Sequence, residues 1–358
     1  MIELAGNILE GGGQILRNAT ALSCILGKPI KITDIRANRS KPGLRPQHLC
    51  GIQLLGDMSH AKLSGDQVNS CVVELQPSGQ VHGGIYSKEV GTAGSLVLLL
   101  QSSLPVALFS DQACDLTLGG GTNAESAPPI DYFTTVFLPI AQQIGLRVDC
   151  QLLKRGFYPK GGGKVRVCIE PIKCLKPIVL LDRGEIIKVE GISYVSGQLP
   201  VKVAQQSAAA ASKHLQKHLP KSVSISVAAR YESASQATAT GSGVFLAAYT
   251  TTGCIFGGTS IGKRGKAAEQ VAREAADELL VAVQQLGCVD EHLQDQLIIF
   301  MALASGQSKV RCGPLTLHTE TAIHIAKKLT GVEFEIAPQE DGTVVISCDG
   351  IAFQNSHL

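Results

Sequence analysis

One order of elements (helix, strand, helix, strand, strand) can be recognised three times along the chain. In the second copy, for example, apolar residues recur at helical spacing over residues 94–103 and alternate over residues 113–118. The same succession opens near the N-terminus and returns after residue 291. Repeats of one supersecondary unit usually stack and bury a shared core. The pattern therefore predicts an α/β fold of the α+β type, with three repeated units that each contain two helices and a four-stranded sheet.

Residues 183–287, between the second and third units, break this order. They are predicted to contain two alanine-rich amphipathic helices and strands at 185–194, 222–229 and 243–257. Helices of this kind against a small sheet form an α/β module. We therefore expect residues 1–182 and 288–358 to form one three-repeat domain that carries the chemistry, and residues 183–287 to form a smaller inserted domain.

The composition is that of an ordinary soluble globular protein, with 358 residues of which 44% are hydrophobic. The longest uncharged run, residues 91–110, is interrupted by polar residues and a proline, so we predict no membrane segment. A net charge of only +2 gives no global field that would attract nucleic acid. Any anionic partner must therefore meet local basic clusters, which occur at 36–45, 154–166 and 263–266, each among glycines.

Eleven cysteines are dispersed along the chain without a single CxxC pair. Their spacing predicts neither a disulfide framework nor a zinc site. Dispersed thiols fit a reducing compartment. We expect a nuclear protein, in the nucleoplasm, that is also present in the cytosol, although no nuclear-import run is evident.

Residues 313–328 carry the strongest chemical signal of the chain. Alternation predicts a strand over residues 308–317, and helical spacing predicts a helix over 319–329 with Thr319 as its N-cap. His318 stands where the period changes, beside free backbone N–H groups and the positive end of the helix dipole. Such a place suits a phosphate, and a neutral imidazole there can attack phosphorus to form a phosphoramidate. The alternative is a histidine that only caps a turn.

Glycine triplets occur at residues 11–13, 119–121 and 161–163, next to helix starts or basic clusters. Glycine lets several N–H groups converge on a phosphate because no Cβ stands in the way. None of the triplets has the spacing of a P-loop or of a dinucleotide fingerprint, which disfavours the ordinary mononucleotide folds. Three arginines near the glycine loops are candidates to bind a terminal phosphate: Arg17, Arg36 and Arg39. Glu10 is the acidic residue that could orient one of them.

The segment 155–164, RGFYPKGGGK, combines two adjacent aromatic residues, a proline–glycine turn and basic residues. Such a segment can stack a base and hold a backbone phosphate. The alternative is a well-formed β-hairpin turn, and the two roles can coexist.

Six ordered blocks of sequence carry a resemblance to a known family: EGGGQILR, RANRSKPGLRPQHL, GGTNAESAPPIDY, RGFYPKGGGK, DEHLQDQL and LTLHTETAIH. Together they resemble the RNA 3′-terminal phosphate cyclase family over essentially the whole chain. The resemblance implies three repeated units with an inserted α/β domain. It also implies an enzyme that uses ATP to adenylylate a histidine, passes AMP to an RNA 3′-phosphate, and lets the vicinal 2′-hydroxyl close a 2′,3′-cyclic phosphodiester. AMP and pyrophosphate are the released products.

The resemblance also implies roles for individual residues. His318 matches the nucleophile. The positions that match the RNA phosphate end are Glu10, Arg17, Arg36, Arg39 and Gln47, and those that match the ATP pocket are Gln101, Pro128, Phe256, His292, Asp295 and Gln296. Related cyclases more usually carry tyrosine at the position of His292, whose imidazole we expect to become charged near pH 6.5.

The implied partner is an RNA with a 3′-phosphate end, and the oligomeric state stays open. We expect a divalent cation, Mg or Mn, to accompany ATP, without a dedicated carboxylate site. Two other functions are alternatives to this one. A catalytically inactive, cyclase-like RNA-binding factor of ribosome assembly would lack the nucleophile, whereas His318 is present; an enolpyruvyl transferase, related by fold analogy alone, would need no covalent histidine.

Overall fold

A computed structural model describes all 358 residues, and its strands form four separate four-stranded sheets. The first unit contains strands and helices in the order β1 (Ile2–Ala5), α1 (Gly13–Leu26), β2 (Ile30–Thr33), α2 (Pro46–Ser59), β3 (Lys62–Ser64) and β4 (Val73–Gln76). In its sheet, β1 pairs in parallel with β2, and β4 pairs antiparallel with both β2 and β3.

The second unit repeats this order, with a π-helical turn inside its second helical segment. It contains β5 (Gly84–Glu89), α3 (Leu96–Ala107), β6 (Cys114–Gly120), α4 (Ile130–Tyr132), a π-helical turn (Phe133–Phe137), α5 (Leu138–Gln143), β7 (Arg147–Lys154) and β8 (Gly163–Glu170). Its pairing is the same as in the first unit: β5 is parallel to β6, and β8 is antiparallel to both β6 and β7.

The third unit is divided by about 100 residues of other structure. Its parts are β9 (Val179–Leu180), α8 (Glu291–Gln296), α9 (Ile298–Leu303), β14 (Gln307–Cys312), α10 (Leu317–Thr330), β15 (Phe334–Pro338) and β16 (Val344–Asp349). Again the first strand is parallel to the second, and the last is antiparallel to its two neighbours. The prediction of three repeated units, each with a four-stranded sheet, is therefore confirmed.

A fourth sheet lies between β9 and α8 along the chain. It is built from β10 (Ile186–Ser196), α6 (Val201–His218), β11 (Ser224–Glu232), β12 (Gly241–Thr250), β13 (Ile255–Ile261) and α7 (Ala268–Gln284), with strand order β11-β10-β12-β13. This is the predicted inserted α/β region. Its exact boundaries as a domain, at 182/183 and 287/288, stay a prediction.

The helices of the three units share one hydrophobic core. Helix α1 packs against α2, α3 and α10, so one helix of the first unit contacts helices of the other two. Its inward residues, among them Ile15, Ala19 and Leu22, are completely buried. Burial of apolar surface is worth about 25 cal/mol per Å², which favours this stacked arrangement over separate units. No helix of the protein combines the length and the hydropathy needed to cross a bilayer.

Two predicted strands have the wrong limits. The predicted strand 243–257 is a hairpin of β12 and β13, because the polar turn between them carries a glycine at a positive φ, Gly253. The predicted strand 308–317 ends at Cys312, where Gly313 and Pro314 interrupt the backbone pairing. Helix α10 then begins at Leu317, and its N-cap is Thr316 rather than Thr319.

A buried arginine joins the second unit to the inserted sheet. Arg155, only 2% exposed, donates two hydrogen bonds to Asp131 at 2.6 and 3.0 Å, and its Nε lies 2.9 and 3.0 Å from the carboxylate oxygens of Glu232. The guanidinium also lies over the ring of Tyr194, 4.2 Å from its centroid, and bonds the Asn123 side chain at 3.0 Å. Asp131 belongs to α4, whereas Glu232 and Tyr194 belong to the inserted sheet. Arg155 is therefore part of an internal ion pair rather than of a surface that could hold a phosphate.

We predict that Arg155→Ala destabilises the protein strongly, by about 3–5 kcal/mol, because it leaves two nearly buried carboxylates without their cation. The loss should appear as a lower midpoint in urea denaturation followed by circular dichroism. Arg166→Ala is the matched control, because Arg166 makes a similar pair with Asp115 but on an exposed surface. It should leave the midpoint nearly unchanged. Equal shifts in the two variants would contradict a structural role for the buried pair.

Candidate active site

Two open cavities meet at His318 and Arg17. The larger one, of about 580 Å³, lies between the three-repeat part of the chain and the inserted sheet. The smaller one, of about 370 Å³, lies within the three-repeat part. His318 and Arg17 line both cavities, so a group bound in either cavity can lie next to the imidazole.

The smaller cavity contains every residue that the sequence assigned to the RNA phosphate end: Glu10, Arg17, Arg36, Arg39 and Gln47. Three helices begin at this cavity, since first-turn residues of α1, α2 and α10 line it. Helix α1 begins at a glycine without a side-chain cap, so its first N–H groups are free of a capping side chain. Converging helix N-termini favour an anion through their free N–H groups and their dipoles.

The arginines of this cavity repel one another. Burial lowers the pKa of Arg36, and the charges of Arg39 and Arg45 lower it further. Arg36 is held in place by the carbonyls of Lys41 and Gly43, to which it donates at 2.6 and 3.1 Å. A doubly charged phosphate bound among these guanidinium groups would relieve the repulsion and accept their planar donors in pairs.

His48 also lines the smaller cavity, and the sequence analysis did not assign it a role. Its Nδ1 accepts a hydrogen bond from the backbone N–H of Arg45 at 3.1 Å, which leaves the proton on Nε2. Burial, together with three neighbouring arginines, lowers the pKa of His48 to about 3. The side chain is therefore a neutral donor at any physiological pH. The signal that could have revealed it is its position next to Gln47, at the start of a helix.

The larger cavity contains five of the six residues that the sequence assigned to ATP: Gln101, Pro128, His292, Asp295 and Gln296. Three of them lie on one face of α8, which Asp290 caps by accepting from the N–H groups of the first turn. Phe256 is the exception, because it is fully buried on β13 and lines neither cavity. Its assignment to the nucleotide pocket is corrected accordingly. Other residues of the insert do line this cavity, among them Ser260, Lys263 and Lys266.

A chain of hydrogen bonds orients the imidazole of His318. Gln14, a buried residue of α1, donates from its amide nitrogen to Asp295, and its amide oxygen faces Nδ1 of His318. An amide oxygen only accepts, so the proton of a neutral His318 lies on Nδ1 and the lone pair lies on Nε2. The histidine side chain is itself exposed, which leaves Nε2 accessible. Gln14 belongs to the EGGGQILR block, but its sequence gives no sign of a partner 304 positions away.

The pKa values of the residues in this series of hydrogen bonds suit a histidine that acts as a nucleophile. His318 is exposed at the cavity surface, but partial burial of its ring lowers its pKa and nearby Arg17 adds to this, so the imidazole is neutral at pH 7 although Glu10 opposes the shift. Burial raises the pKa of Asp295 to about 6, while Arg17 and His292 hold it down. Asp295 is therefore mostly ionised at pH 7 and accepts the Gln14 amide, but it becomes protonated as the pH falls through about 6.

His292 is charged at neutral pH, contrary to the expectation that it titrates near pH 6.5. Burial alone would lower the pKa of His292, but a 3.3 Å hydrogen bond to Glu278 and the charge of Asp290 outweigh burial and raise it to about 9. Glu278 belongs to α7 of the insert, and sequence spacing gives no indication of this contact. The larger cavity thus carries a positive charge next to Asp295.

No group of three or more His, Cys, Asp or Glu side chains in the protein is arranged to hold a metal ion. One carboxylate oxygen nevertheless stands out, because Oε2 of Glu10 is buried and has no hydrogen-bond partner. The other oxygen of this carboxylate is bonded to Arg39. Unpartnered buried carboxylate oxygens are rare, and a divalent cation held mainly by nucleotide phosphates needs only one or two such ligands from protein.

The fold and the site place the chain among enzymes built on this repeated unit. It belongs to the family described as RNA 3'-terminal phosphate cyclase, because the sequence model of that family matches residues 8–336. The chain is 42% identical to the "Probable RNA 3'-terminal phosphate cyclase" of Dictyostelium discoideum, over 99% of this chain and 84% of that protein. It is 39% identical to the "RNA 3'-terminal phosphate cyclase" of Drosophila melanogaster, over 99% and 98%. For the protein of the same name from Pyrococcus furiosus, the identity is 40% over 94% and 95%. The family predicted from the six sequence blocks is confirmed.

We predict that Glu278→Gln lowers the pKa of His292 from about 9, because the hydrogen bond and the charge of Glu278 that raise it are lost while burial still lowers it. The pKa can be followed in the pH dependence of the His292 ring signals by NMR. Glu291→Gln is the control, because Glu291 contributes less to the shift and makes no hydrogen bond to the ring. An unchanged pKa in Glu278→Gln would show that the Glu278 contact does not set the charge of the larger cavity.

Proposed function

We propose that the protein converts the 3′-terminal phosphate of an RNA into a 2′,3′-cyclic phosphodiester at the expense of ATP, by way of a covalent adenylate on His318. The observation that supports this most directly is that His318 lies where the two cavities meet. The larger cavity has room for a nucleotide and has cations of the chain and of the insert in its wall, and the smaller one is lined by converging arginines and helix N-termini. A nucleophile that lies between them can receive AMP from one side and give it up on the other.

In the first step, Nε2 of His318 attacks the α-phosphorus of ATP, a phosphoramidate P–N bond forms, and the bond to pyrophosphate breaks. Gln14 keeps the proton on Nδ1, so the lone pair of Nε2 is available for attack. The negative charge of the triphosphate is met by Arg17, protonated His292, Lys263 and Lys266, which all line the larger cavity. Such fixed cations stabilise the charge that develops on the transferred phosphoryl group.

In the second step, an oxygen of the RNA 3′-phosphate attacks the same phosphorus, and the P–N bond breaks. The product is a mixed anhydride of AMP and the RNA end, and His318 is free again. In the third step, the vicinal 2′-hydroxyl attacks the terminal RNA phosphorus, loses its proton, and displaces AMP. The attack within one ribose benefits from a high effective molarity. Arg36 and Arg39 hold the phosphate end during both steps.

A divalent cation that accompanies the phosphates next to His318 would find one protein ligand in Oε2 of Glu10, which lines the smaller cavity and is the one buried carboxylate oxygen without a partner. Such a cation supplies additional positive charge for the phosphates. The other roles are filled by side chains of the protein. Gln14 and Asp295 orient the imidazole, and the arginines hold the RNA end.

We predict that the protein retains radioactivity on a denaturing gel after incubation with ATP labelled at the α-phosphate, and that His318→Ala abolishes this labelling. The matched control is His324→Ala, since His324 is an exposed residue of the same helix and lines neither cavity. Circular dichroism should show both variants folded. Labelling that persists in His318→Ala, or is absent from the unaltered protein, would refute the covalent histidine adenylate.

Two arginine variants should distinguish the function of the larger cavity from that of the smaller one. Arg39→Ala is expected to leave adenylylation unchanged and to weaken cyclisation of a 3′-phosphorylated oligonucleotide by about 1.5–3 kcal/mol, because Arg39 lines only the smaller cavity. Arg17→Ala should impair both reactions, because Arg17 lines both cavities. We therefore propose a role for Arg17 on the ATP side in addition to its role at the RNA phosphate end. Adenylylation by single-turnover labelling and cyclisation by product chromatography are the two measurements, and equal losses in Arg39→Ala would contradict the division of roles.

A further inference from the structure

We propose that the turn at residues 158–162 is a docking platform for the RNA chain that leads to the 3′-phosphate. In this proposal Tyr158 stacks on a base one or two nucleotides upstream of the phosphorylated end, and Lys160 and Lys164 contact backbone phosphates. The proposal rests on the proposed function, because it takes the smaller cavity as the site of the RNA phosphate end.

The turn lies directly beside the rim of the smaller cavity. A Cβ atom built on Gly161 would stand 2.5 Å from the carbonyl oxygen of Thr92 and 3.0 Å from the Cα of Ala93. The two backbones are therefore in van der Waals contact, and Thr92 lines the smaller cavity. An RNA chain that leaves this cavity past Thr92 meets the 158–162 turn within the reach of its next nucleotides.

Tyr158 is the most exposed aromatic residue of the protein. Its exposure is 77%, and the only other exposed Tyr or Phe is Tyr231, at 49%. The hydroxyl of Tyr231 is bonded to the carbonyl of Gly197, whereas Tyr158 takes part in no hydrogen bond and no aromatic pair within the chain. An exposed ring without internal partners has no role in the core. Aromatic rings next to a phosphate-binding groove are the usual platforms for unpaired bases.

The platform is held firmly although Tyr158 itself is free. The preceding residue, Phe157, is 2% exposed and packs in a small cluster with Tyr194 and Ala237 of the insert. The N–H of Gly161 donates to the carbonyl of Phe157 at 2.8 Å and closes the turn. Gly161 and Gly162 have φ values of +66° and +67°, a conformation that glycine adopts without strain. A rigid turn presents the ring with little loss of entropy on binding.

The charges around the turn are also available. Lys160 and Lys164 are both exposed, and neither forms an ion pair with an acidic residue of the chain. The two arginines of the same basic cluster behave differently, since Arg155 is buried with Asp131 and Arg166 is paired with Asp115. The two lysines are therefore the free cations of the RGFYPKGGGK segment and its continuation into β8. The net charge of +2 makes such local cations important for RNA.

The test measures binding without ATP, so that no turnover occurs, by fluorescence anisotropy of a labelled 3′-phosphorylated oligoribonucleotide. The base is removed at the second or at the third nucleotide from the 3′ end in two further oligonucleotides. We expect one of these abasic sites to weaken binding to the unaltered protein about 5- to 150-fold, the range for one base stacked on an aromatic ring. Tyr158→Ala should bind the intact oligonucleotide as weakly as the abasic one and should lose the difference between them. Tyr158→Phe should restore it.

The lysines are tested by the salt dependence of the same binding. Lys160→Ala should weaken binding of all the oligonucleotides alike and make the dependence on salt less steep, by about 0.7 in the slope of log K against log salt. Lys217→Ala is the matched control, because Lys217 is an exposed, unpaired lysine on α6 that lines neither cavity. An unchanged slope in Lys160→Ala, or the same change in both variants, would remove Lys160 from the platform.

The outcomes separate this proposal from the proposed function. If Tyr158→Ala keeps the full effect of both abasic sites, the platform is refuted. Covalent labelling of the protein by ATP, and its preference for a 3′-phosphate over a 3′-hydroxyl end, would in that case still stand. If the unaltered protein neither becomes labelled nor distinguishes the two ends, the proposed function itself fails. Tyr158→Ala should leave labelling by ATP unchanged, since the turn lines neither cavity.

Discussion

The buried guanidinium of Arg155 is the interaction on which the arrangement of the site depends. Its partners come from helix α4 of the second unit and from strand β11 of the insert, so the charge is satisfied only when these parts are docked. Arg155 also donates a hydrogen bond to Asn123, which is next to the loop that lines the larger cavity. In the sequence, Arg155 shortly precedes the turn at residues 158–162, beside the smaller cavity. A fully satisfied polar network in a low-dielectric interior is rigid and specific. One ion-pair cluster therefore anchors both the loop that follows Asn123 into the larger cavity and the turn beside the smaller one.

The repeated unit explains why an anion site forms at the shared core. Each unit has the same pairing of strands, so its helices lie in equivalent places against its sheet. Once α1 packs against helices of the other two units, the N-termini of α1, α2 and α10 are brought to one point. The positive ends of three dipoles then add, without any of the phosphate-binding loops found in mononucleotide folds.

The order of elements could be predicted because periodicity is local, and the grouping of residues around the smaller cavity could be predicted because whole sequence blocks resemble a family. The predictions that failed concern contacts between residues that are far apart in the sequence. Gln14 was missed because its partners, His318 and Asp295, are far away in sequence, and the charge of His292 was misjudged because Glu278 comes from the insert. Phe256 was assigned by the match of a short stretch, whereas the register of β12 and β13 turns it into the core. The N-cap of α10 was displaced because Thr316 and Thr319 are both good caps.

The insert contributes residues to the larger cavity but none to the smaller one. It also enters the third unit between β9 and α8, in a connection that the first unit makes with a few residues. If the larger cavity holds the nucleotide, as proposed, substitutions in the insert alter which nucleotide fits and how its phosphates are neutralised, while the residues of the smaller cavity are unchanged. On that proposal, homologues of this architecture can diverge in the nucleotide that supplies the energy without a matching change in the RNA ends that they accept.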